Sequence, residues 1–66
     1  MLIKEIRSTL GKTQVEFASL IGVGQSAVAN WEAGNGRVPH HSYALKIVEE
    51  ARKAGLKVSL EQIYQQ

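Results

Sequence analysis

Cysteine is missing from this chain altogether, which excludes a disulfide framework and any cysteine-ligated zinc site as a source of stability. A cysteine-free protein also suits a reducing cytoplasm. Long apolar runs are missing too. Nothing approaches the roughly 20 residues of a membrane span, and the N-terminal stretch has no signal-peptide core, so a soluble intracellular protein without a membrane partner is expected. Aspartate is absent, leaving six glutamates against eight lysines and arginines and a formal charge of +2. That mild excess permits a nucleic-acid partner without requiring one. No nucleophile stands beside a candidate base, no carboxylate dyad is present, and the glycines punctuate helices rather than cradle a phosphate. The expectation is therefore a protein with no enzymatic activity and no cofactor. The 66 residues suffice for one domain, 1–66, with a modest core, and leave no second domain for a small-molecule ligand.

What is present is helical patterning broken by glycine. Leu2, Ile3, Ile6 and Leu10 recur at helical spacing before Gly11, predicting a first helix over residues 2–10. Thr13 and Glu16 form a Thr-x-x-Glu capping box that starts a second helix from Gln14 to about Leu20. Gly22 ends it, Gly24 serves as the next N-cap, and a third helix runs from Gln25 to Ala33 before Gly34, Asn35 and Gly36. Pro39 is suited to the first position of a fourth helix, whose stripe of Tyr43, Ala44, Ile47, Val48 and Ala51 continues to about Ala54. Ser59 and Gln62 repeat the capping box and start a short fifth helix through Leu60, Ile63 and Tyr64. Residues 56–58 would also suit a short strand, but the helical signals on both sides favour an all-α, compact five-helix domain.

Two short helices joined by a tight glycine turn, with Ala18 at the close approach, read as a helix-turn-helix formed by helices 2 and 3. At 100° per residue from Gln25, Ala29 falls near about 40°, Ser26 near about 100° and Asn30 near about 140°. Ala27, Val28 and Trp31 fall between about 200° and 300°, so Trp31 belongs to the core rather than to a stacking platform. The outer face thus gathers short amides and a hydroxyl. Glutamine and asparagine donate and accept at once, matching adenine in the major groove, and the Ala29 methyl suits a thymine methyl. Gln25, Ser26, Ala29 and Asn30 are the candidate base readers. The N-terminus of helix 2, beside Gln14, offers backbone donors to a phosphate. Lys12 before that helix and Arg37 in the glycine-rich loop after helix 3 are placed to hold the DNA backbone from two sides, with Lys4 also near the unit. Glu49, Glu50, Arg52 and Lys53 share the fourth helix and are expected to offset one another on a solvated face.

Thr13-Gln14, Glu16, Ala18, Gly22-Val23, Gln25-Ser26, Val28 and Trp31-Glu32-x-Gly34 together resemble the phage Cro and repressor type of helix-turn-helix, also called XRE-like. The resemblance covers residues 2 to about 54 well and the last twelve loosely. It implies five helices, operator binding as a homodimer and no cofactor. Residue by residue, it implies that Gln25, Ser26 and Asn30 read base edges, that Gln14 holds phosphate and braces Gln25, and that Arg37 touches the backbone. Some relatives carry a further basic residue after the proline, where this chain has His40. Arg7 and Glu32 occupy the positions of an ion pair that ties helix 1 to helix 3 in several relatives, so a structural pair is expected.

His40 and His41 are adjacent, diverge by about 100° on a helix and have no third ligand at a useful spacing, so they read as surface histidines, with no metal site. A lone domain reading a few base pairs requires twofold pairing on half-sites. Leu56, Val58 and Tyr64 are too apolar for a free tail and are assigned to the dimer contact, with closure of the subunit's own core as the alternative. The leading reading is a small sequence-specific repressor of double-stranded DNA, of phage or prophage type. A DNA-binding antitoxin or restriction-system controller is the alternative within the fold, and a helical protein-interaction module the alternative outside it.

Overall fold

In the computed structural model, which describes residues 2–34 and 36–66, five α-helices follow one another with no strand among the described residues. They are α1 (Ile3–Thr9), α2 (Gln14–Ile21), α3 (Gln25–Glu32), α4 (His41–Lys53) and α5 (Leu60–Ile63). None is long and apolar enough to cross a membrane. Asn35, expected among the residues that stop α3, lies outside the described residues.

Each helix contributes to one core, because each places apolar side chains at helical spacing on a single face. Ile3 and Ile6 of α1, Phe17 of α2, Val28 of α3, Ile47 of α4 and Ile63 of α5 are the large side chains withdrawn completely from water. Burying a side chain of this size contributes about 1.5 to 3 kcal/mol, so the core rests on a handful of residues. Ala18, Ala44 and Ala51 are buried in the same core. Leu20 and Leu2 sit outside this set: Leu20 is half-buried, and Leu2 precedes α1 with half its surface in water. The second helix instead turns Phe17, Ala18 and Ile21 inward.

The fourth helix begins later than proline chemistry suggested. Its N-cap is His40, so Pro39 stands one residue outside the helix. Pro39 is buried there, since its ring suits an apolar contact before a cap as well as a first helical turn. At the other end Gly55 adopts φ +85°, and the Leu56 N–H donates to the Ala51 carbonyl at 3.0 Å, which closes the helix and turns the chain back. The Arg52 Nε donates to the Val58 carbonyl at 3.3 Å, pinning the returning segment to α4. Arg52 therefore stands apart from the charge cluster of the same helix, where Lys46 pairs with Glu50, and Lys53 with both Glu49 and Glu50. Residues 56–58 are irregular, and α5 follows under its own cap, with Ser59 Oγ accepting from the Gln62 N–H. Gln66 then ties the last turn to the first: its Oε1 accepts from the Ile3 N–H at 2.7 Å.

Candidate nucleic-acid interface

The two-helix unit is set by three local devices. Thr13 Oγ1 accepts from the Glu16 N–H at 3.1 Å while Glu16 Oε1 accepts from the Thr13 N–H at 2.8 Å, which completes the expected capping box. These bonds to Thr13 hold the Glu16 carboxyl below the usual carboxylate range. Gly22 then takes φ +93°, a left-handed backbone that side chains with a Cβ adopt only at a cost. The Val23 N–H reaches back to the Ala18 carbonyl at 2.9 Å, and Gly24 caps α3 in an extended conformation. As a result α2 and α3 make the most extensive helix-helix packing in the domain.

From that packing a chain of polar contacts runs outward to the surface. Arg7 Nε donates to Glu32 Oε2 at 2.7 Å and Arg7 Nη2 to Glu32 Oε1 at 3.1 Å, the two-pronged pairing expected of these residues. Their side chains are 16% and 6% exposed. The guanidinium also donates through Nη1 to the Lys12 carbonyl at 3.0 Å, so one side chain fixes α3 and the entry to α2. The hydrogen bond to Glu32 raises the Arg7 pKa further. For Glu32, burial alone would raise the carboxyl. The hydrogen bonds from Arg7 and Gln14 and the nearby positive charge together outweigh it, and the group lies below its ordinary value. Gln14 Nε2 donates to Glu32 Oε1 at 3.2 Å, and Gln14 Oε1 accepts from Gln25 Nε2 at 3.4 Å. The link between Gln14 and Glu32 has no signature in the sequence beyond the helical phase that turns Gln14 toward α3.

On the outer side of α3, Gln25 and Ser26 are exposed while Ala29 and Asn30 are half-buried. Val28 and Trp31 face the core, so the helix divides into the two faces its sequence suggested. Asn30 shares an open depression with Arg37, His40 and Tyr43. Arg37 is exposed in the loop between α3 and α4, and Lys12 is exposed just ahead of α2. The structure thus joins Gln14 to Gln25 directly and places Asn30 and Arg37 along one hollow. The only carboxylate of α3, Glu32, is turned away into the ion pair. A surface of amides, with Lys12 and Arg37 exposed in the segments before α2 and after α3, can approach a polyanion without like-charge repulsion.

The three residues assigned to a dimer contact do not share one place. Val58 is 2% exposed and belongs to the core of its own chain, because the Gly55 turn folds the segment under α4. Leu56 is half-buried beside the last turn of α4, whereas Tyr64 is exposed and its Oη shares a hydrogen bond with His41 Nδ1 at 3.2 Å, at the first turn of α4. The helix separates these positions by about 15 Å. The histidines themselves are exposed: His40 caps α4 and lies edge-on to Tyr43, with ring centroids 6.4 Å apart.

Among known proteins, the helix-turn-helix family model matches residues 3–52, which takes in α1 to α3 and nearly all of α4. No curated protein and no solved structure matches the chain. The match covers most of the sequence and centres on the capped, glycine-turned pair whose polar face has been described. The chain belongs to the XRE-type helix-turn-helix family of DNA-binding transcription regulators.

Proposed function

We propose that this protein is a sequence-specific repressor of the phage Cro type, which binds a palindromic operator as a homodimer and inserts α3 into the major groove. The observation that carries this reading is the braced amide of Gln25 on the exposed face of α3, held by Gln14 from the preceding helix. An amide fixed in this way loses less freedom on meeting a base edge than a free surface glutamine does. Gln25, Ser26, Ala29 and Asn30 read base edges. Gln14, Lys12 and Arg37 hold the phosphates and set the register of the helix over the bases. Repression by occlusion is the simplest mode, since Glu16, the acidic group of α2, is engaged by the cap.

A domain this small spans only a few base pairs, so specificity requires two copies on half-sites about one helical turn apart. With Val58 in the core and Tyr64 at the far end of α4, the dimer contact falls on the side of Leu56. Leu45, exposed on α4, continues that apolar surface past Arg52.

Selection of tight binders from a random duplex pool at near-physiological salt tests the reading, because generic charge attraction fades there. Enrichment of a palindrome is expected. Lys12→Ala and Arg37→Ala should each reduce the slope of log affinity against log salt by about 0.9 and weaken all sequences alike. Folded protein that enriches no sequence would overturn the reading in favour of a protein-docking module.

A further inference from the structure

We propose that the Arg7–Glu32 ion pair determines which base Gln25 accepts, acting through the amide of Gln14. This rests on the reading that Gln25 faces base edges. Glu32 is ionised, and its carboxylate can only accept hydrogen bonds. Gln14 must therefore turn its nitrogen toward Glu32 Oε1, 3.2 Å away, and present its oxygen to the other side. That oxygen receives an N–H from Gln25 Nε2. The polarity of both amides is thus set by a charge that stands one hydrogen bond from Gln14 and two from Gln25, and Arg7 keeps that charge in place with two hydrogen bonds.

The consequence is a count of donors. A glutamine amide has two N–H groups and one carbonyl oxygen. Gln14 uses one of the N–H groups of Gln25, leaving one donor and one acceptor to face the groove. Adenine presents one acceptor, N7, and one donor, the N6 amino group, and matches that remainder. Guanine presents two acceptors, N7 and O6, and would require both N–H groups of Gln25 at once. The relay therefore admits adenine and rejects guanine. Without Glu32, the Gln14 amide is free to rotate and donate to Gln25 Oε1. Both N–H groups of Gln25 then point outward, and guanine becomes acceptable. Arg7 and Glu32 are positioning residues in this scheme: neither touches DNA.

The test compares selections from the same random duplex pool. Gln25→Ala first identifies the base pair that Gln25 governs, as the position where preference is lost. Wild-type protein should favour adenine over guanine there by about tenfold. The double variant Arg7→Met, Glu32→Met removes both charges together, so neither is left buried and unpaired, and its fold is checked by circular dichroism. It should take adenine and guanine within about twofold of each other at that position, with preferences elsewhere in the half-site unchanged. Gln14→Leu cuts the relay with the ion pair left in place; it also loses a phosphate contact and so weakens all sequences alike, but its base preference should relax at that one position. A purely structural ion pair would lower melting temperature or overall affinity without altering one position alone. Retention of the tenfold adenine preference in both variants would overturn the inference while leaving the base-reading assignment intact. Loss of nothing in Gln25→Ala would remove that assignment, and the inference with it.

Discussion

At the scale of the residue, Glu32 joins three helices, because one carboxylate receives hydrogen bonds from α1 and α2 while belonging to α3. Its ionisation is thereby linked to folding. The carboxyl lies below its ordinary value in the folded chain, so the folded state holds its proton less tightly than the unfolded state does. The stability it contributes is complete above the unfolded pKa of about 4.3 and is lost as the pH falls through the lower folded value. Glutamine at this position mimics the protonated acid. At neutral pH Glu32→Gln should cost about 2 kcal/mol, the scale of hydrogen bonds to a charged group. In thermal melts followed by circular dichroism, the gap between wild type and Glu32→Gln should close as the pH is lowered from about 6 to below about 3. Glu16 and Glu50 also lie low, through bonds to Thr13 and Lys53 respectively, but both are present in each protein and move the two curves together. Curves that stayed parallel would show that Glu32 titrates alike in the folded and unfolded states.

At the scale of the element, what was legible in the sequence was what neighbouring residues decide among themselves. Thr13 with Glu16, and Ser59 with Gln62, announce helix starts within four residues, and both caps form. Gly22 announces the turn, because its left-handed conformation is a local demand. Pro39 was placed wrongly, since its fixed φ suits the first turn of a helix and the approach to one equally, and only the packing of the loop distinguishes them. The bond from the Ile3 N–H to Gln66 was beyond reach for a different reason: it joins the two ends of the sequence through a side chain with no periodic signature. The Arg7–Glu32 pair became visible through family resemblance alone, as its members lie 25 residues apart. The two glycines of the turn give this distinction between local and tertiary causes a quantitative form. A Cβ at Gly22 would meet nothing within 4 Å, so Gly22→Ala is penalised only by its φ of +93° and should lower stability by about 1 kcal/mol. Gly24 has an ordinary extended backbone, and a Cβ there would approach Ser26 Oγ no closer than 3.9 Å. Gly24→Ser, a better N-cap than glycine, should leave stability unchanged or raise it by a few tenths of a kcal/mol. Urea denaturation of the pair checks both, and equal losses at the two sites would mean that crowding, not backbone conformation, governs the turn.

At the scale of the whole molecule, the segment after α4 divides between two tasks that sequence patterning could not separate. Leu56, Val58 and Tyr64 are all apolar or aromatic in the same short stretch, yet the Gly55 turn sends Val58 under α4, leaves Leu56 half-covered and carries Tyr64 round to His41. The core is small enough for one such placement to matter: the chain has a radius of gyration of 10.3 Å, and Ile3, Ile6, Phe17, Val28, Ile47 and Ile63 are the large side chains fully withdrawn from water among the described residues. A carboxylate forced into the Val58 position would have no partner there, and unpaired burial of an ion costs several kcal/mol. That is a large part of the 5 to 15 kcal/mol on which a domain typically relies, roughly the scale expected here. Val58→Asp should therefore abolish the cooperative thermal transition rather than yield a folded monomer. Leu45 is the opposite case: 48% exposed on α4, it adds nothing to the core that aspartate would remove. If the dimer forms on the Leu56 side, two copies of Leu45→Asp face each other across the twofold axis and repel. The variant should melt like wild type and occupy an isolated half-site normally, while losing the cooperative 2:1 complex on a full palindrome. Sedimentation velocity with a fluorescent duplex reads both stoichiometries directly. A folded Leu45→Asp that still assembles two copies per palindrome would move the interface off this face of α4, and a folded, melting Val58→Asp would return Val58 from the core to the surface.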